Sequence, residues 1–101
     1  MLNLTDKELA IVKAILLEIV PGKEVRVFGS RVTDKIKSYS DLDLVIIGHN
    51  KIENKILVRL KEAFVDSMLS FRVDVLDWFC LSPEFKKIIE KGFEIIQSSK
   101  K

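Results

Sequence analysis

Three aspartates carry the strongest chemical signal in this chain. Asp41-Leu42-Asp43-Leu44 opens a segment that becomes wholly apolar through Val45-Ile46-Ile47. Residues two apart on a strand point to the same face, with α-carbons about 6.6 Å apart. Two carboxylates on one face repel each other unless cations stand between them, and hard oxygen ligands suit Mg²⁺ or Mn²⁺. The plainer alternative is that Asp41 caps the strand and Asp43 lies at an exposed edge. Asp74 adds a third acid inside the apolar run Val73-Asp74-Val75-Leu76. An unpaired charge there is costly, so it must face a cation, water, or a basic partner such as Arg72 or Arg31. Three acids on neighbouring strands could hold two metal ions about 3.5–4 Å apart, which clamps the attacking and leaving oxygens of a phosphoryl displacement. Asp77 lies three residues on, where the pleat turns it to the opposite face, and reads as a strand-end or capping residue.

Gly29-Ser30, between an apolar segment and an expected helical turn, is the second signal. A glycine lets main-chain amides approach a phosphate closely, and a serine adds a hydroxyl donor at the positive end of a helix. Alone, such a pair is more often simply a turn.

These residues need elements to position them. Thr5 with Glu8 forms a capping box, and Leu9, Val12, Ile15, Leu16, Ile19 and Val20 then share one helical face until Pro21-Gly22 stops it. Glu24 to Phe28 reads as a strand, and a short helix is expected from Ser30. Asp41 to Ile47 reads as a second strand. Lys51 to about Ser67 predicts a long amphipathic helix with Ile52, Ile56, Leu60, Ala63 and Phe64 inward. Phe71 to Asp77 alternates as a third strand. Ser82-Pro83 predicts an N-cap and first-turn proline for a helix carrying Phe85, Ile88 and Ile89, ended by Gly92. Phe93 to Ile96 reads as a last strand. The order implies an α/β or α+β domain.

Composition narrows the alternatives. A single domain over residues 1–101, with 98–101 as a loose tail, is the expectation from length. Seventeen basic against fifteen acidic residues leave a net charge of +2, too slight to argue for nucleic acid or an acidic membrane as partner. The single cysteine, Cys80, and single histidine, His49, exclude an internal disulfide, a multi-cysteine zinc site and paired-histidine metal chemistry. Charged residues interrupt every apolar run before membrane-spanning length, so a cytoplasmic protein is expected. Trp78, Phe79 and Leu81 read as core or subunit-contact residues, Cys80 among them as an inert small hydrophobe, and His49 as a turn residue. Lys51, Lys55, Arg59 and Lys61 alternate with Glu53 and Glu62 and read as a solvated helix face.

Taken together, Gly29-Ser30-Arg31, nine intervening residues, Asp41-Leu42-Asp43-Leu44 and the later Arg72-Val73-Asp74-Val75-Leu76-Asp77-Trp78 resemble the minimal nucleotidyltransferase domain of the DNA polymerase beta superfamily. The resemblance spans essentially the whole chain. It implies a two-layer α/β (α+β) fold resembling that polymerase's palm, with a small mixed β-sheet and helices mainly on one face. Gly29 and Ser30 would hold the β- and γ-phosphates of ATP, with Arg31 and Ser40 in the same nucleotide site. Asp41 and Asp43 would ligate Mg²⁺, with two ions expected and Mn²⁺ an alternative. Asp74 would complete the metal site and help activate an acceptor hydroxyl. The family commonly has glycine where this chain has Asp34 and a small residue where it has Ile36. An acid near the triphosphate weakens binding unless it caps the short helix and points away, or Arg31, Lys35 and Lys37 offset it.

Small members of the resembled family pair with a helical HEPN-type protein in toxin–antitoxin modules, some transferring AMP to a tyrosine of the toxin. Motifs and core elements use nearly all of this chain, so the resemblance implies that a partner completes the site. The expectation is an AMP-transferring antitoxin that binds neither membrane nor nucleic acid directly. The alternative is a non-catalytic nucleotide-binding or antitoxin subunit that neutralises its partner by contact. The three retained acids argue against that alternative.

Overall fold

A computed structural model describes residues 2–32 and 41–99 of the chain. Thr5 begins helix α1 (Asp6–Ile19), its hydroxyl accepting from the Glu8 amide while the Glu8 carboxylate accepts from the Thr5 amide. Strand β1 (Glu24–Phe28) follows, then a 3-10 turn over Gly29–Val32. Next come β2 (Leu42–Ile47), α2 (Asn54–Val65), β3 (Val73–Asp77), a 3-10 turn over Trp78–Cys80, α3 (Pro83–Glu90) and β4 (Phe93–Gln97). The expected order of elements is the observed one, with the turn at Trp78 added.

The four strands form one mixed sheet in the order β3-β2-β1-β4. β1 runs antiparallel to β2 and to β4, whereas β2 and β3 are parallel and joined by α2. A parallel pair needs a crossover of this kind, because a tight turn cannot return the chain to the same end of the sheet. Alternation along the strands sorts the side chains onto two faces. Val25, Val27, Leu42, Leu44, Ile46, Val73, Val75 and Ile96 meet Val12 and Leu16 of α1 and Leu60 and Phe64 of α2 in the main core. On the other face Phe28 and Val45 meet Ile89 of the short α3, with Leu76, Trp78 and Phe85 against them. The two long helices therefore share one face, and among the described residues only α3 and the turn at Trp78 cover part of the other.

Helix α2 begins at Asn54 rather than Lys51, and the reason is tertiary. Asp77, buried at the end of β3, accepts from the Ile52 amide at 2.8 Å and from the Phe79 amide at 3.1 Å. Holding Ile52 to the strand end keeps Lys51–Glu53 out of the helix. At its other end α2 stops at Val65, where the Ser67 hydroxyl donates to the Phe64 carbonyl. Asp77 is thus a capping residue, as its position implied. Phe79 and Cys80 are exposed, unlike the core side chains Trp78 and Leu81 between which they lie. The Cys80 thiol lies 3.6 Å from the Asp77 carboxylate.

No described helix is long and apolar enough to cross a membrane. Leu44, at 0% exposure in the middle of β2, touches the main core from its central strand. Leu44→Ala is expected to lower unfolding free energy by about 2–5 kcal/mol, read from urea denaturation; a change within measurement error would place the core elsewhere.

Candidate active site

All three candidate acids come to the face that α1 and α2 leave free. Asp43 sits in β2 opposite Phe28 of β1 and beside Asp74 of β3 in parallel register. Asp41 immediately precedes β2, which begins one residue later than expected. All three side chains are partly exposed. The parallel pairing thus makes neighbours of two acids that are 31 residues apart in sequence.

Gly29 begins the turn after β1 with φ +81°, a conformation that a residue with a side chain adopts only at a cost. A β-carbon there would stand 2.5 Å from Oδ2 of Asp43. The glycine is therefore needed twice, for its backbone angle and for the space that the carboxylate fills. Asp43 faces the Gly29-Ser30 corner directly. Burial pushes the Asp43 carboxyl above its ordinary range, the charges of Asp74 and Asp41 add to this, and Arg72 opposes it.

Arg72 supplies the local counter-charge. Its guanidinium lies 3.4 Å from Asp41 and 3.6 Å from Asp74, bridging the outer two acids. Both pairs are long and solvated, so each contributes little stability. Among the described residues no three carboxylate, imidazole or thiol groups are drawn closely enough together to hold a metal ion. The expected set of three carboxylate ligands is therefore on one face but not closed into a coordination shell. Three like charges have no reason to close without a cation. The donor chemistry nevertheless fits a hard divalent ion: oxygen ligands only, one of them driven toward protonation by burial and by its acidic neighbours.

Arg31 departs from its expected place in the nucleotide site. Its side chain is buried, donating to the Asn3 carbonyl at 3.1 Å and lying 4.2 Å from the Phe71 ring centroid. Phe71 belongs to the main core, so these contacts draw the guanidinium toward the helical side of the sheet. Its main-chain carbonyl also accepts from the Asn3 amide, so Arg31 anchors the segment before α1. Ser40, Asp34, Lys35, Ile36 and Lys37, together with the side chain of Ser30, lie outside the described residues.

Two clefts share the walls Phe28 and Phe85, whose rings pack edge to face at 6.0 Å. One, of about 410 Å³, is lined by Gly29, Val32, Ile88, Lys91 and Gly92. The other, of about 680 Å³, runs beside β3 and holds Asp43, Asp74, Arg72, Lys61 and Val65. Lys61 is thus a cleft residue, not merely part of a solvated helix face. No spacing in the sequence marked Lys61, Phe28 or Phe85 as a cleft residue, because three separate elements bring them together.

A family model described as nucleotidyltransferase domain matches residues 9–101. The probable protein adenylyltransferase MntA of Haemophilus influenzae is 49% identical over 100 residues, covering 99% of this chain and 88% of that protein. Among solved structures, a toxin–antitoxin complex with AMP-PNP matches with a TM-score of 0.74 and 17% identity, over 91% of this chain and 74% of that one. The complex of tri-AMPylated Shewanella oneidensis HEPN toxin with MNT antitoxin matches with a TM-score of 0.64 and 18% identity, over 90% of this chain and 73% of the other. At such identities these likenesses speak for the fold.

Two outcomes follow from the geometry around Asp43. Gly29→Ala is expected to cost about 1–2 kcal/mol from its backbone angle alone, and more while the carboxylate is present. In an Asp43→Ala background the same substitution should cost less; equal costs in a double-mutant cycle would mean the two groups do not meet. The raised Asp43 pKa means that its contribution favours folding fully below the unfolded-state value of 3.8 and is lost as pH rises through the folded-state value. Without divalent ions, Asp43→Asn should therefore be more stable than wild type at neutral pH, with the difference closing on acidification. A difference independent of pH in urea titrations would contradict this.

Proposed function

This chain belongs to the nucleotidyltransferase-domain family, and from that membership and the geometry of its acidic face we propose that it transfers AMP from ATP to a hydroxyl of a HEPN-type partner protein, as the antitoxin of a toxin–antitoxin pair. The observation that carries this reading is the Asp43 carboxylate set against Gly29 with Asp74 as its parallel neighbour. The name of the Haemophilus influenzae relative and the pairing of MNT with HEPN proteins in the matched complexes support the partner and the donor.

In this reading the amides of Gly29 and Ser30 cradle the β- and γ-phosphates on the 410 Å³ side, with Ser40 in the same nucleotide site. Arg31 is left out of that set, because its guanidinium serves Asn3 and Phe71. Asp41, Asp43 and Asp74 would hold Mg²⁺, two ions fitting the reaction and Mn²⁺ suiting the same oxygens. A divalent cation there supplies positive charge against the negative charge that grows on the α-phosphate. Asp74 orients the acceptor hydroxyl and takes its proton, the hydroxyl oxygen bonds to the α-phosphorus, and the bond to the β-phosphate oxygen breaks to release pyrophosphate. Arg72 would give up its long contacts to Asp41 and Asp74 were those acids to hold a cation.

The test is incubation with the HEPN-type partner, ATP labelled in the AMP moiety and Mg²⁺. Label should appear on the partner and be lost on chelation. Asp43→Asn and Asp74→Asn should each reduce labelling by at least ~10²-fold while the circular dichroism spectrum is retained. A partner that is neutralised without being labelled, equally well by both variants, would establish the non-catalytic binder instead.

A further inference from the structure

The two edges of the sheet are built differently. At the β4 edge the pairing with β1 is broken by a register shift, and the Gln97 side chain ties the strand to the carbonyls of Val20 and Lys23. At the β3 edge the pairing with β2 runs without interruption from Leu42 with Val73 to Ile46 with Asp77. β3 contains no proline, no bulge bends it away, and its two charged residues are Asp74, on the open face, and Asp77, held by the Ile52 amide. Sheets ordinarily protect an exposed edge with one of these devices, because its unpaired amides and carbonyls are a template for another strand.

The outward groups can be identified. The Arg72 carbonyl accepts from the Leu42 amide, so the main chain of residue 72 faces β2. Alternation then turns Asp74 and Leu76 toward β2 and Val73 and Val75 outward. The 680 Å³ cleft follows this edge, lined in succession by Arg72, Val73, Asp74, Val75 and Leu76. Val65 of α2, 81% exposed, contributes an apolar wall, and Lys61 has no ion-pair partner among the described residues.

We propose that β3 receives the acceptor segment of the partner protein as an added, extended strand, with an acidic side chain of that segment paired to Lys61. The proposal rests on the transfer reading for the identity of the segment. Added strands lie about 4.8 Å from the edge, and paired side chains stand on the same face with β-carbons about 5 Å apart. A hydroxyl-bearing residue paired with Asp74 is therefore delivered to the face that carries Asp43. A slip of one residue would turn it to the helical face, so strand register selects which hydroxyl is modified. Main-chain bonds would supply affinity, while Lys61 and the apolar wall supply selectivity.

The probe is a seven-residue synthetic peptide of alternating valine and threonine with a central tyrosine and two glutamates, compared with the same peptide methylated on alternate main-chain nitrogens. Amide exchange is followed by NMR on the full chain carrying Asp43→Asn, which blocks transfer. The peptide in millimolar excess should slow exchange at Val73 and Val75 by about tenfold or more and leave Asp74 and Leu76 unchanged. The methylated peptide should do nothing, and Lys61→Glu should weaken binding by about tenfold. No slowing at Val73 and Val75, or equal slowing with the methylated peptide, overturns the proposal. So does protection that appears without peptide and grows with protein concentration, which would make a second copy the occupant. Labelling of the HEPN-type partner by wild type without protection at these amides would remove the docking mode and leave the transfer reading standing. Protection by the peptide with no labelling of the partner would remove the transfer reading alone.

Discussion

Asp43 is held where a carboxylate gains little from being. It is partly buried between two further acids, with an oxygen in the space that a side chain on Gly29 would fill. Much of the architecture follows from holding that group in place. Gly29 must lack a β-carbon, β1 must end where the turn can face β2, and β3 must lie parallel to β2 so that Asp74 falls beside Asp43. That last requirement in turn demands the α2 crossover. Arg72 meets part of the electrostatic cost from outside, at the ends of a partly solvated bridge that can be released without unfolding anything.

The division of the sheet into a covered and an open face serves the same end. Two long helices bury the main core on one face, and a smaller buried cluster sits on the other. On the second face α3 packs on Phe28 and Val45 and stops short of the acids, leaving a cleft on either side of the Phe28–Phe85 pair. The glycine corner borders one cleft, and the other follows the β3 edge and holds Asp43.

Local signals in the chain were accurate where the interaction itself is local. The capping box at Thr5 and Glu8, the stop at Pro21-Gly22 and the Ser82-Pro83 helix start each depend on groups within a few residues, and each stands as expected. The start of α2 differed because Asp77, 25 residues away, holds the Ile52 amide. The resemblance placed Arg31 in the nucleotide site, yet contacts from residues far away in the chain hold its side chain. Its guanidinium went to Asn3 and Phe71.

By itself, the sequence determined the chemical inventory: three acids, a glycine where close approach is required, and the alternations and caps that set the elements and their order. Only the tertiary structure decided that β3 lies next to β2 at the sheet edge, that Arg72 bridges Asp41 and Asp74, and that Lys61, Val65 and Phe85 wall the cleft beside them. Hydrophobic period records which face of an element is buried but not which element buries it. Strand order and cleft walls arise from contacts between segments far apart in the chain, whose energies are not written in any one of them.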